Sequence, residues 1–179
     1  MPPVSAPRVT STRVVYQNRW MRLHEDRLER ADGSPGLYAW VEKPPGTLIV
    51  PLEDDHVWLV QQWRHPARAR YWDFPQGAWE GAPDAPAEEL ARGELAEETG
   101  LRARSMERLG SLFYAYGLLD QRFDVWLATG LEPGPRAPEP TEHDLRVARF
   151  PAAELEAMIA RGEVVDAATL AAWHLVSRR

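Results

Sequence analysis

The sequence predicts an α+β fold: a mixed sheet with helices packed on it, preceded by an N-terminal antiparallel hairpin. Three observations predict it. Strand-like segments do not alternate regularly with helical ones, which argues against repeated βαβ units and for a mixed sheet. Residues 47–52, Thr-Leu-Ile-Val-Pro-Leu, form a continuous apolar run of the type buried in the middle of a sheet. Asp32-Gly33-Ser34-Pro35-Gly36 is a turn between two strand-like stretches.

The elements follow in order. Residues 1–10, rich in Pro, Ser and Thr, are expected to form a loose tail. Residues 13–16 are a short strand candidate, and 20–30 and 37–42 form the hairpin around the turn at Gly33. Residues 47–52 and 56–63 are strands separated by Glu53-Asp54-Asp55. A basic stretch follows, with Arg64, Arg68 and Arg70, either a solvated loop or an anion site. Tyr71 to Gly77 is short, aromatic and closed by a Pro/Gly break, and 77–86 is a loop. Residues 86–99 are helical, with Pro86 at the first helical position and Gly100 as the stop. Residues 105–115 and 121–128 are strand-like, 132–140 is a Pro-rich loop, and 145–150 is the last strand. Pro151 opens a helix containing Leu155, Met158 and Ile159, and Asp166 caps a final one.

A chain of 179 residues is long enough for one domain with a proper core. The net charge of −6 argues against nonspecific binding to nucleic acid or membrane. With no cysteine, disulfides, thiolate zinc sites and a cysteine nucleophile are excluded. No apolar run reaches the length of a membrane span, and the N-terminus lacks the parts of a signal peptide. A cytoplasmic location is the expectation.

The helix at 86–99 carries the chemistry. On a wheel of about 100° per residue, Glu97 and Glu98 fall on the side of Glu94, together with Ala87, Leu90 and Ala91. The face that is apolar in the first turns becomes acidic in the last. A solvated acidic face is the bland reading, but like charges at these spacings repel. Anions turned inward need compensation. A divalent cation with oxygen ligands would supply it.

Gly77 and Glu94-Leu95-Ala96-Glu97-Glu98-Thr99-Gly100-Leu101 resemble the Nudix box, G-x5-E-x7-R-E-U-x-E-E-x-G-U with U a bulky aliphatic. Every specified position after the Arg is reproduced. Residues 57–64, Trp72-Asp73-Phe74-Pro75-Gln76-Gly77, the early hairpin, Val50-Pro51-Leu52 and the stretch 162–170 resemble the ADP-ribose pyrophosphatase branch. Two departures stand out. The run from Gly77 to Glu94 is two residues longer than the pattern, and the pattern's Arg falls on Gly93. Its first Glu has no clear equivalent, Glu80 and Asp84 being the nearest acids.

The resemblance implies a Nudix α/β/α sandwich at 47–179 behind a hairpin region at 11–46. It implies Mg²⁺- or Mn²⁺-dependent hydrolysis of a nucleoside diphosphate linked to another group, ADP-ribose or a related nucleoside diphosphate sugar. Glu94 and Glu98 are then metal ligands, Glu97 a ligand or orienting acid, and the Gln76 carbonyl a further ligand. Glu142 is the candidate general base or extra ligand, with Glu139 second and His65 and His143 weaker. Arg64 matches the phosphate-contacting Arg of the family, and Asp73 orders the turn or takes part in the site. Tyr16 and Trp20 stack on the base from the partner subunit of a homodimer, or simply pack in the core. Two other readings remain open. One is a dinucleoside polyphosphate hydrolase, to which Gln76 is closer. The other is a Nudix-fold nucleotide-binding or regulatory module with weak or no catalysis.

Overall fold

The computed structural model describes residues 6–78, 86–136 and 144–178. Two compact units account for the chain: Met1–Pro45 with Phe113–Arg122, and Gly46–Leu112 with Phe123–Arg179.

The first unit is a three-stranded antiparallel sheet, β1 (Arg8–Gln17), β2 (Arg22–Glu29) and β3 (Pro35–Glu42), with β2 in the centre. The Asp32 carboxylate accepts hydrogen bonds from the Ser34 amide (2.9 Å) and hydroxyl (2.6 Å). Gly33 supplies the positive φ that this turn requires. The turn sets the β2–β3 register, in which His24 lies opposite Trp40. Their rings stack at 4.3 Å. Trp40 donates to Asp26 (2.8 Å), and His24 Nε2 meets Glu42 (2.7 Å). Residues 113–122 join the same unit: Tyr38 donates to the Gly117 carbonyl, and the Lys43 amide to Asp120. The expected hairpin is thus two strands of three. The third begins at Arg8, inside the stretch read as tail, and is exposed at every residue.

The second unit is an α/β/α sandwich around a seven-stranded mixed sheet. Its order is β10 (Arg146–Pro151), β5 (His56–Arg64), β4 (Gly46–Glu53), β9 (Arg122–Pro133) and β8 (Leu101–Phe113). β6 (Ala69–Asp73) pairs antiparallel with β5, and the short β7 (Gln76–Gly77) pairs with β4. β4 runs parallel to β9 and antiparallel to β5 and β7. Its residues 46–51 are all buried, as a continuous apolar run requires of a strand covered on both faces.

On one face lies α1 (Ala87–Thr99), where Ala91 and Leu95 join Ile49, Leu101, Trp126 and Ala128 in one cluster. α2 (Ala152–Ala160) rests on β10 and β5, and α3 (Ala167–Ser177) on β4. The Phe74 ring meets Trp173 of α3 at 6.4 Å. Asp166 caps α3 as expected, its side chain accepting from the Thr169 amide. Pro86, by contrast, is the N-cap of α1 and not its first residue. β8 starts directly after α1, at Leu101 and not at 105, because Gly100 turns the chain at φ 73° and Leu101 is buried beneath the helix.

The inward stripe of α1 is Ala91, Glu94, Leu95 and Glu98. The face centred on Glu94 is therefore rotated toward Leu95, with Ala87 exposed and Glu97 half-buried. Leu95 is fully buried and holds the helix to the sheet. Leu95→Ala is expected to lower stability by about 2–5 kcal/mol, the range for a core leucine lost to a cavity. Urea unfolding measures this, and a loss near zero would remove Leu95 from the core that positions the helix.

Candidate active site

The site grows from the contact between α1 and the turn at residues 74–77. That turn is stitched to β4: the Ile49 amide donates to the Pro75 carbonyl (2.9 Å), and Thr47 and Leu48 pair with Gly77 and Gln76. The Gln76 amide then points at α1 and donates to Glu98 Oε2 at 3.1 Å. The Glu94 carboxylate lies against Gly77, so closely that a Cβ on that residue would collide with it. The glycine at the start of the box thus has a steric reason: it makes room for a carboxylate one α1 turn before Glu98.

Glu94 is 7% exposed and Glu98 is fully buried. Two carboxylates at i, i+4 on a buried face repel each other and lose hydration. Arg136 holds the end of the helix that bears them. Its guanidinium donates to the Glu98 carbonyl (2.7 Å) and to the Leu145 carbonyl (2.8 Å). No sequence signal marks Arg136, because its partners are main-chain atoms.

Behind the turn lies Asp73, which is almost wholly buried and paired with Arg64. Burial raises the Asp73 pKa to about 6, against the opposing pull of Arg64. Arg64 itself is partly buried, which works against its charge. The carboxylates of Asp73, Glu98 and Asp166 overcome that effect and raise its pKa. The Gln76 side chain donates to Asp166 at 3.2 Å. Two of the three arginines of the basic stretch are engaged by carboxylates, and the third is exposed. Arg64 pairs with Asp73 and Arg70 with Asp144, while Arg68 occupies a turn position at positive φ.

The structure brings Gln76, Glu94 and Glu98 together, with Arg64 attached through Asp73, and leaves Glu97 at the margin of the stripe. Arg92, one position from the box Arg, turns away: it bonds Glu88 (2.9 Å) and the Ala103 carbonyl of β8 (2.7 Å). His65 is exposed in the turn between β5 and β6. Glu142, Glu139, His143, Glu80 and Asp84 lie outside the described residues. Tyr16 and Trp20 belong to the other unit, and both are about half exposed, which overturns the expectation that they pack in the core.

The donors fit a hard divalent cation. Among the described residues, no three His, Asp or Glu side chains group closely enough to form an all-protein cage. Two buried carboxylates beside a backbone turn suit instead a hard divalent cation held by one or two carboxylates, with other oxygens completing its shell.

A NUDIX domain model matches residues 42–173. The chain is a Nudix hydrolase. The model of a nucleoside diphosphate sugar hydrolase N-terminal domain matches residues 8–41 of the same enzyme. Among curated relatives, this Nudix hydrolase is 31% identical to the ADP-ribose pyrophosphatase of Mycobacterium tuberculosis, over 90% of its own length and 78% of the relative's. That likeness makes it ADP-ribose pyrophosphatase-like. It is 26% identical to the methanol dehydrogenase activator of Bacillus methanolicus, over 67% of this chain and 64% of that one. Its fold is that of a solved structure described as an ADP compounds hydrolase: TM-score 0.85, 22% identity, 99% of this chain and 96% of the other. Nudix hydrolases generally use divalent metal ions, in keeping with the donor set described above.

Gly77→Ala separates packing from metal binding. The atoms in its way are the far end of a flexible side chain, so Glu94 can move aside at a cost of about 1 kcal/mol or less. If Glu94 is a metal ligand, its displaced carboxylate would be out of place by about 1 Å, an error on the order of 10²-fold in rate. The expected result is a near-normal melting temperature with activity down by about that factor. Full activity in the variant would contradict the role given to the Glu94 contact.

Proposed function

We propose that this Nudix hydrolase cleaves the diphosphate bond of ADP-ribose, or of a related nucleoside diphosphate sugar, in a Mg²⁺-dependent reaction, with Mn²⁺ as the alternative ion. The products are AMP, or the corresponding nucleoside monophosphate, and a sugar phosphate. The observation that carries this reading is the pair of buried carboxylates, Glu94 and Glu98, set against the turn of Gln76 and Gly77. The substrate class follows from the likeness to the mycobacterial ADP-ribose pyrophosphatase and from the matched N-terminal domain.

Glu94 and Glu98 would hold the ion, with the Gln76 carbonyl adding a ligand and Glu97 a ligand or an orienting acid. The chemistry such an ion supplies is charge neutralisation of the diphosphate and a lowered pKa for bound water. The chain's own groups do the rest. Glu142 takes the proton of the attacking water. Arg64 keeps part of its guanidinium toward solvent while it pairs with Asp73, and that part contacts a phosphate. Tyr16, exposed on β1, and Trp20, exposed in the turn between β1 and β2, offer faces on which a base stacks.

The enzyme acts as a homodimer through its N-terminal region, with those aromatics serving the partner's site. Supporting this, β1 is an edge strand of 10 residues, exposed throughout, with Val9, Val14 and Val15 uncovered. Such an edge invites pairing with another chain. Sedimentation is expected to give twice the 20.3 kDa chain mass; a monomer at working concentration would end this part of the reading. A cytoplasmic location is proposed with it; no helix among the described residues is long and apolar enough to cross a membrane.

Gln76, which led toward dinucleoside polyphosphates, has its side chain engaged with Asp166 and needs no altered substrate to explain it. The test is a panel of ADP-ribose, nucleoside diphosphate sugars and dinucleoside polyphosphates, incubated with Mg²⁺ or Mn²⁺ and resolved by product. AMP and ribose 5-phosphate from ADP-ribose are expected. Turnover of dinucleoside polyphosphates alone, or binding without turnover, would replace this reading with one of the others. Glu98→Gln is expected to cut activity by more than about 100-fold, beyond the range of a lost outer-shell partner, with the fold retained by circular dichroism.

A further inference from the structure

We propose that Asp166 is a positioning residue for catalysis, tying the first turn of α3 to the metal-ligand carboxylate Glu98 through Gln76. The inference rests on the reading of Glu98 as a metal ligand and goes beyond it.

A helix N-cap needs one bond, from its side-chain oxygen to an amide two or three residues on. Asp166 makes that bond to the Thr169 amide at 2.8 Å. The same oxygen, Oδ2, also accepts from the Thr169 hydroxyl (2.8 Å) and from the Gln76 side chain (3.2 Å), a residue 90 positions away. Capping α3 explains the first bond and not the last. Thr169 is fully buried, and its hydroxyl accepts from the Phe74 amide at 3.1 Å. The first turn of α3 therefore grips the 74–77 turn at two points, Phe74 and Gln76, on either side of Pro75.

β4 grips the same turn from another side, through Ile49 to Pro75 and Thr47 to Gly77. What the turn presents to α1 is the Gln76 amide, 3.1 Å from Glu98 Oε2. The direction of that N–H follows the orientation of the Gln76 residue, and its side chain is anchored at Asp166. Partners of this kind orient a ligand and tune a metal without touching it.

The variants separate the cap from the tether. Serine caps a helix about as well as aspartate, but its hydroxyl ends one bond short of Gln76. Asp166→Ser is expected to keep the fold of the metal-free protein, with a melting temperature lowered only by the lost bond from the Thr169 hydroxyl. It is expected to weaken Mn²⁺ binding, read by the paramagnetic resonance of free Mn²⁺, by about tenfold, the low end for an outer-shell partner. Asp166→Asn keeps both the cap and an acceptor oxygen and restores wild-type binding. Gln76→Ala reads the link from its other end and shifts binding to the same extent. Adding Asp166→Ser to Gln76→Ala then changes nothing more, since groups acting through one contact are not additive. Wild-type Mn²⁺ affinity in Asp166→Ser overturns the proposal, as does an Asp166→Ser effect that persists beside Gln76→Ala. Should Asp166→Ser not fold, unaltered binding in Gln76→Ala overturns it equally. Glu98→Gln distinguishes the two layers: if it leaves Mn²⁺ binding intact, the metal-site reading fails. If only the Asp166 and Gln76 variants are silent, the tether alone fails.

Discussion

Two carboxylates turned into a protein interior one helical turn apart repel each other and forgo hydration, and the second unit is arranged around that conflict. Glu94 and Glu98 share the buried stripe of α1 with Ala91 and Leu95. The apolar members hold the helix down, and so hold the charges in. Gly77 gives up its side chain to admit one carboxylate, and the Gln76 amide is aimed at the other. A buried anion tolerated in this way needs donors and a cation.

The surroundings make the demand stricter. Asp73 and Asp166 lie close enough to act on Arg64, and Asp166 reaches the same turn through Gln76. Carboxylates thus approach the turn from β6, from α1 and from the start of α3. Arg64 offsets part of this, chiefly at Asp73. Under the proposed function a diphosphate entering such a field would meet like charge, and a divalent ion would reconcile the two. β4, buried on both faces and stitched to the turn, supplies the stiffness that keeps these groups from drifting apart.

Much of this was legible in the residues themselves. The glutamate spacing placed Glu94 and Glu98 on one face, Asp166 announced a cap, and the apolar run announced the central strand. Other parts carried no signal. A wheel centred on Glu94 puts Leu95 a full step away, yet the real stripe runs between them, because a large apolar side chain draws the helix toward itself. Only four residues of β1 carry a strand signal, because a strand exposed along its length shows no alternation of apolar and polar positions. Arg136, and the link from Gln76 to Asp166, join residues far apart in sequence through main-chain carbonyls or one shared oxygen. No local pattern encodes such contacts.

Gly100 does more than stop α1. Its amide bonds the Ala96 carbonyl, its own carbonyl accepts from Gly134 (2.6 Å), and Arg136 takes the Glu98 carbonyl. Two of the carbonyls that a helix end ordinarily leaves to water, those of Ala96 and Glu98, are here closed by the protein. A Cβ on Gly100 would approach the Gly134 carbonyl at 3.0 Å, so asparagine, which tolerates the same φ elsewhere, is crowded here. The final turn of α1 thus lacks the freedom to fray. Unwinding that turn would therefore also break the contacts to Gly134 and Arg136, which ties the helix end bearing Glu98 to the chain leaving β9.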